Sequence, residues 1–179
     1  GNVINPMDLI DDYGVDPVRY YLMREMVLGQ DSSFTMESFI QRYNSDLAND
    51  FGNLLSRVST LMKKNYNGKI PEPGDFTEAE AVIKSNGESL GEVVKEKIEA
   101  MRLNEAIEEI MQYIRSVNKY MENNAPWKLV KEDKDAAGRV LYTAGEALRI
   151  GAVLLSSVMP NRTAMLLDVL NAKGTDLSW

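Results

Sequence analysis

From residue 35 onward, apolar side chains recur at spacings of three and four, and a chain so patterned can bury them only as amphipathic helices laid against one another. The first helix is the best marked. Thr35 suits an N-cap, Glu37 falls in the first turn, and Phe34 and Phe39 flank the cap as a hydrophobic staple would. Ile40, Tyr43, Leu47, Phe51, Leu54, Val58 and Leu61 then form one stripe, and Asn67-Gly68 followed by Pro71 supplies the stop. The spacing predicts one long helix.

Thr77 and Glu80 read as a second capping box, opening a helix to about Met101 whose weak point is Ser85-Asn86-Gly87. A third helix carries Leu103, Ile107, Ile110, Ile114, Val117 and Met121 inward and ends before Pro126, which disfavours helical geometry at Ala125. A fourth, over 134–158, turns Val140, Leu141, Ala144, Leu148 and Leu155 inward, with Gly145 and Gly151 small enough for close helix approach, and Pro160 opens the last. Residues 1–34 read differently: a short strand at Val3-Ile4, a helix from Pro6, and Asp16 capping a helix with Pro17 at its first position. The expected architecture is all-α, a helix bundle over 35–179 preceded by a connector over 1–34.

The chain has 179 residues, enough for one well-cored domain and little more. It contains neither cysteine nor histidine. That removes disulfides, thiolate metal sites, the commonest general base and every Ser-His or Cys-His nucleophile, and the expected compartment is the cytoplasm. The opening lacks the basic stretch and apolar core of a signal peptide, and no apolar run could span a bilayer. Asn86-Gly87-Glu88-Ser89-Leu90-Gly91 lacks the preceding strand that a phosphate loop requires.

A net charge of -7 argues against non-specific binding to nucleic acid, which depends on Lys and Arg neutralising phosphates. One stretch departs from that balance. Between residues 51 and 71 there is no acidic residue, while Arg57, Lys63, Lys64 and Lys69 give a local charge of +4. Asn53, Arg57, Thr60 and Lys64 recur at steps of four, three and four, so they form a polar line beside the apolar stripe. An Asn amide can pair with a base edge and a guanidinium can stack on a splayed base, but by spacing alone the same residues read first as a solvated helix face. Trp127 follows Pro126 at a helix start, where its indole suits either base stacking or core packing, with Lys128 and Lys131 close by for phosphates. The adjacent carboxylates Asp11-Asp12, Glu108-Glu109 and Glu132-Asp133 point about 100° apart on a helix and read as solvent-facing, and the 10 Met residues read as core packing.

Beyond these local readings, Gly1-Asn2-Val3-Ile4-Asn5-Pro6 with Tyr13-Gly14-Val15-Asp16 resembles the segment following the KMSKS loop of class I aminoacyl-tRNA synthetases. Arg19-Tyr20-Tyr21-Leu22-Met23-Arg24-Glu25, Arg42-Tyr43-Asn44, the run from Asp46 to Arg57, and Asn118-Lys119-Tyr120 with Ala125-Pro126-Trp127 narrow the resemblance to the anticodon-binding region of bacterial methionyl-tRNA synthetases. The resemblance implies that Asn53, Arg57 and Trp127 recognise bases of the CAU anticodon of methionine tRNA. Local charge adds Lys63, Lys64 and Lys128 as contacts to the tRNA backbone. The resemblance further implies a complete enzyme that joins methionine to tRNA with ATP and magnesium, and a partner in that enzyme's own catalytic domain. The HIGH and KMSKS signatures are not in this sequence, so no catalytic residue, metal site or cofactor is expected within it, nor a membrane or DNA partner. Two rivals are a helical scaffold, which would not need Asn53, Arg57 and Trp127 exposed together, and a related synthetase for leucine, valine, isoleucine or cysteine.

Overall fold

The computed structural model describes residues 4–32, 34–172 and 177–179. No strand occurs among the described residues. Of the short strand expected at Val3-Ile4, Val3 lies outside the described residues and Ile4 has no regular secondary structure. Helix α1 (Pro6–Tyr13) is capped by the Asn5 side chain, which accepts from the Met7 N–H. Gly14, at a φ of 86° that few other residues adopt, turns the chain directly into α2 (Val15–Glu25). That early start corrects the reading of Asp16 as the α2 cap: Asp16 is inside the helix and buried. Its carboxylate instead accepts from the Arg162 N–H at 2.6 Å, in the first turn of a helix distant in sequence.

Helices α3 (Met36–Arg42) and α4 (Asn53–Asn65) are joined without a break by a π-helical segment, Tyr43–Gly52. Thr35 caps α3 as expected, accepting from the Ser38 N–H at 3.1 Å. The staple takes a different form, because the Tyr21 ring packs against both Phe34 and Phe39. The single apolar stripe also needs correction. Ile40 is 39% exposed, whereas Phe39 is buried. The π turns hold more residues than α turns and shift the phase, so the face buried before them is not the face a regular α spacing projects.

Helix α5 (Glu78–Glu99) runs straight through Ser85-Asn86-Gly87. Gly87 marks a close approach instead of a kink, since a Cβ there would lie 2.5 Å from the Tyr113 hydroxyl. The capping box is altered as well: the Thr77 hydroxyl bonds the Glu80 carboxylate, not a backbone N–H, and Glu80 also accepts from Arg139 Nε at 2.7 Å. Helix α6 (Leu103–Asn124) and the short α7 (Pro126–Leu129) form an elbow. Helix α8 (Lys134–Leu155), capped by Asp133, runs through the middle of the bundle, and α9 (Pro160–Val169) begins at its proline.

The main core joins Leu54 and Val58 of α4, Ile107, Ile114 and Met121 of α6, and Leu141 and Leu148 of α8. A smaller core of Leu9, Val18, Tyr21 and Phe39 holds α1 and α2 to α3. Between the two lies a charged network. Asp46, fully buried in the π-helical segment, accepts the Tyr20 hydroxyl at 2.6 Å and is ringed by Arg24, Arg42 and Arg115. Glu108, read as solvent-facing, is half-buried and pairs with both Arg24 and Arg115. A buried carboxylate surrounded by guanidiniums satisfies the requirement that a charge taken out of water be paired.

Candidate functional site

Helix α4 is anchored by buried Leu54, Val58, Leu61 and Met62, and this inward stripe turns Asn53, Arg57, Thr60 and Lys64 outward. Trp127 arrives from another direction. Helix α6 ends at Asn124, Ala125 adopts a left-handed conformation with φ 40°, and Pro126 then starts α7 with Trp127 in its first turn. Alanine pays an energetic cost of about 1 to 2 kcal/mol in that conformation, so the elbow is held by the packing around it.

Arg57 and Trp127 meet. The Arg57 guanidinium carbon lies 5.4 Å from the centroid of the indole ring, a cation–π distance, and its Nη1 lies 3.6 Å from the carboxylate of Glu122. Trp127 is half-buried, one part packed against the main core. An open concavity of about 470 Å³ lies in front, lined among others by Arg57, Thr60, Lys64, Trp127, Val130 and Lys131. Asn53 is exposed one turn before Arg57 on the same helix but does not line that concavity. Lys63 and Lys128 are exposed and likewise outside the lining. The structure therefore brings Arg57 and Trp127 into contact and Lys64 into the same concavity, with Asn53 one turn before Arg57 on α4 and Lys63 and Lys128 exposed outside the lining.

Glu122 was not singled out from the sequence. Nothing local marks it, because its pairing with Arg57 depends on how α6 crosses α4. Chemically, the surface offers an aromatic face, a guanidinium able to stack or donate, an amide with donors and an acceptor, and ammonium groups at the rim. Such a set suits unstacked bases with their phosphates. Among the described residues no group of three or more acidic, His or Cys side chains could hold a metal ion, and no helix is long and apolar enough to cross a membrane.

Comparison with known proteins first places the opening of the chain in a broad class. Residues 1–59 match a family model described as tRNA synthetases class I (M). Residues 70–179 match the model of the anticodon binding domain of methionyl tRNA ligase, and the chain belongs to that family. It is 40% identical to a methionine–tRNA ligase of Mycobacterium leprae over 95% of its own length and 32% of that protein's. It is 37% identical to one from Caldanaerobacter subterraneus over 100% of its length and 28% of that protein's. The crystal structure of apo methionyl-tRNA synthetase from Mycobacterium tuberculosis superposes with a TM-score of 0.92 at 35% identity, covering 99% of this chain and 36% of that one. The form of that enzyme bound by methionyl-adenylate gives 0.93 at 36% identity, covering 100% of this chain and 36% of that one. The chain thus spans about a third of the length of the relatives it matches.

Proposed function

We propose that this chain reads the CAU anticodon of methionine tRNA through Asn53, Arg57 and Trp127, as the tRNA-binding part of a methionine–tRNA ligase. The observation that carries the reading is the placement of Arg57 over the ring of the half-buried Trp127, with Asn53 one turn away and no acidic residue on α4. The indole and guanidinium stack on splayed loop bases, the Asn53 amide pairs with a base edge, and Lys64 lies beside the phosphates. Lys63 and Lys128 contact the RNA backbone farther out. Residues 1–34 serve as the connector to a catalytic domain, tied into the bundle through Tyr20, Arg24 and Asp46. The complete protein joins methionine to tRNA in the cytoplasm with ATP and magnesium, and the residues described here supply none of that chemistry.

The test is affinity for a stem-loop with a CAU anticodon against one with a changed anticodon. Tighter binding of the CAU loop supports the reading, and equal affinity for both overturns it. In parallel, methionine-dependent ATP–pyrophosphate exchange should stay at background with the pure chain. Exchange above background would mean that chemistry resides within these residues after all.

A further inference from the structure

Helix α4 does not continue α3 in a regular α-helical phase. Over Tyr43–Gly52 the backbone is π-helical, and the Asn53 N–H reaches back five residues to the Ala48 carbonyl. A π turn holds one residue more than an α turn, so it rotates everything beyond it relative to everything before it; such turns are rare and recur at functional sites. Here the segment stands immediately before Asn53. Its phase sets the direction in which Asn53 and Arg57 leave the helix.

Side chains of α6 hold that phase. Asn118 Nδ2 donates to the Asp50 carbonyl at 2.9 Å, and Arg115 donates to the Asp50 carboxylate at 2.8 Å and to Asp46 at 3.3 Å. Gly52 supplies the room, since a Cβ there would lie 3.0 Å from the Leu47 carbonyl oxygen, five residues back. The helix that grips the π-helical segment is also the helix that ends at the Trp127 elbow. One helix, α6, thus bears on both halves of the Arg57–Trp127 pair, pairing Arg57 through Glu122 and leading into the Trp127 elbow.

We propose that Arg115 and Asn118 are positioning residues of the RNA surface: by clamping the π-helical segment from α6, they aim Arg57 at the Trp127 ring and assemble the guanidinium–indole platform before RNA arrives. Neither residue lines the concavity, so both act through the π-helical segment they hold, Asn118 at a backbone carbonyl and Arg115 at the Asp46 and Asp50 carboxylates. The consequence for RNA rests on the proposed anticodon reading, whereas the clamp is a property of the free protein and can be tested separately.

Because the chain has two tryptophans, Trp127 emission is recorded in a Trp179→Phe background. Asn118→Ala and Arg115→Gln are compared with Arg57→Ala and with Lys97→Ala, which removes an ion pair between α5 and α6 outside the clamp. Both clamp variants should change Trp127 emission in the same direction as Arg57→Ala while helix content by circular dichroism is kept, and Lys97→Ala should not. Their preference for the CAU stem-loop over a changed-anticodon loop should fall about tenfold, the scale of one lost hydrogen bond. The salt dependence of binding, which counts phosphate contacts, should stay as in the parent. Unchanged emission in folded clamp variants overturns the proposal, and so does changed emission with full preference retained. Should Arg115→Gln fail to fold, Asn118→Ala decides, since it deletes a single bond to a backbone carbonyl. If the parent chain shows no preference between the RNAs, the anticodon reading falls, while the emission measurement still decides the clamp.

Discussion

Trp127 shares its ring between two environments, the edge of the main core and the Arg57 guanidinium. That division separates its two contributions. Trp127→Ala should weaken binding of the CAU stem-loop by about 1 to 3 kcal/mol, the value of stacking one base on an aromatic ring. Its cost in stability should stay below the roughly 3 to 5 kcal/mol of a fully buried aromatic, because the ring is only half-buried. A stability loss in that range with unchanged RNA affinity would make Trp127 a core residue and nothing more. Glu122 gives the opposite case. It is exposed and 3.6 Å from Arg57, a pair of a kind worth about 0 to 1 kcal/mol. Glu122→Gln should therefore leave thermal stability nearly unchanged while raising affinity for RNA, since it removes a negative charge from the surface proposed to meet the RNA. A drop in affinity would show that Arg57 needs Glu122 to hold its direction.

Between helices, the pair of Glu80 on α5 and Arg139 on α8 makes packing depend on pH. Burial opposes ionisation of Glu80, but the Thr77 hydroxyl, the Glu80 backbone N–H and Arg139 outweigh it and hold the carboxyl below its ordinary value. A depressed carboxyl contributes stability that is present above its unfolded pKa, about 4.3, and lost as pH falls through the folded value. Asp50 has the opposite sign: burial raises its carboxyl against the pull of Arg115, so its ionisation weakens the fold as pH rises. The denaturation midpoint should drop below about pH 4, and Glu80→Gln should flatten that drop. An unaltered acid limb would remove Glu80 from the account. These helices were largely legible beforehand, because the stripes of α6 and α8, the Thr35 cap and the Pro160 start are local signals. What stayed hidden was set by other elements. The π phase of Tyr43–Gly52 is held by Arg115 and Asn118, some 65 to 69 residues away, and Asp16 caps a helix 146 residues distant. The close approach that calls for Gly87 within α5 is to the Tyr113 hydroxyl, a partner that no local pattern shows. For the candidate site, periodicity placed Asn53 and Arg57 on one face, but spacing alone gave no reason to bring Trp127 to them; that followed from the resemblance. Glu122 escaped both.

At the scale of the whole molecule, three buried tyrosines sit where helices meet, so ionising them attacks the packing as a unit. Tyr20 of α2 donates to Asp46 in the π-helical segment, Tyr113 of α6 donates to the Ile83 carbonyl of α5, and Tyr120 of α6 lies near Glu80 of α5. Burial is the main cause that raises all three phenols above their ordinary value, and a neighbouring carboxylate adds to it in each case: Asp46 for Tyr20, Glu146 for Tyr113 and Glu80 for Tyr120. A group whose folded pKa is raised contributes stability that is fully present below its unfolded pKa, about 10 for tyrosine, and lost as pH rises through the folded value. The denaturation midpoint should accordingly show no tyrosine-dependent fall up to about pH 10 and then decline. Over the same range, phenolate absorbance from these three rings should appear together with loss of helix and not before it. Tyr113→Phe should shallow the alkaline decline while lowering stability at neutral pH by about 1 kcal/mol for the lost bond to Ile83. If spectroscopic titration of the folded chain shows every tyrosine ionising near pH 10 with the helices intact, the junctions are open to water and the packing described for α2, α5 and α6 is wrong at those three points.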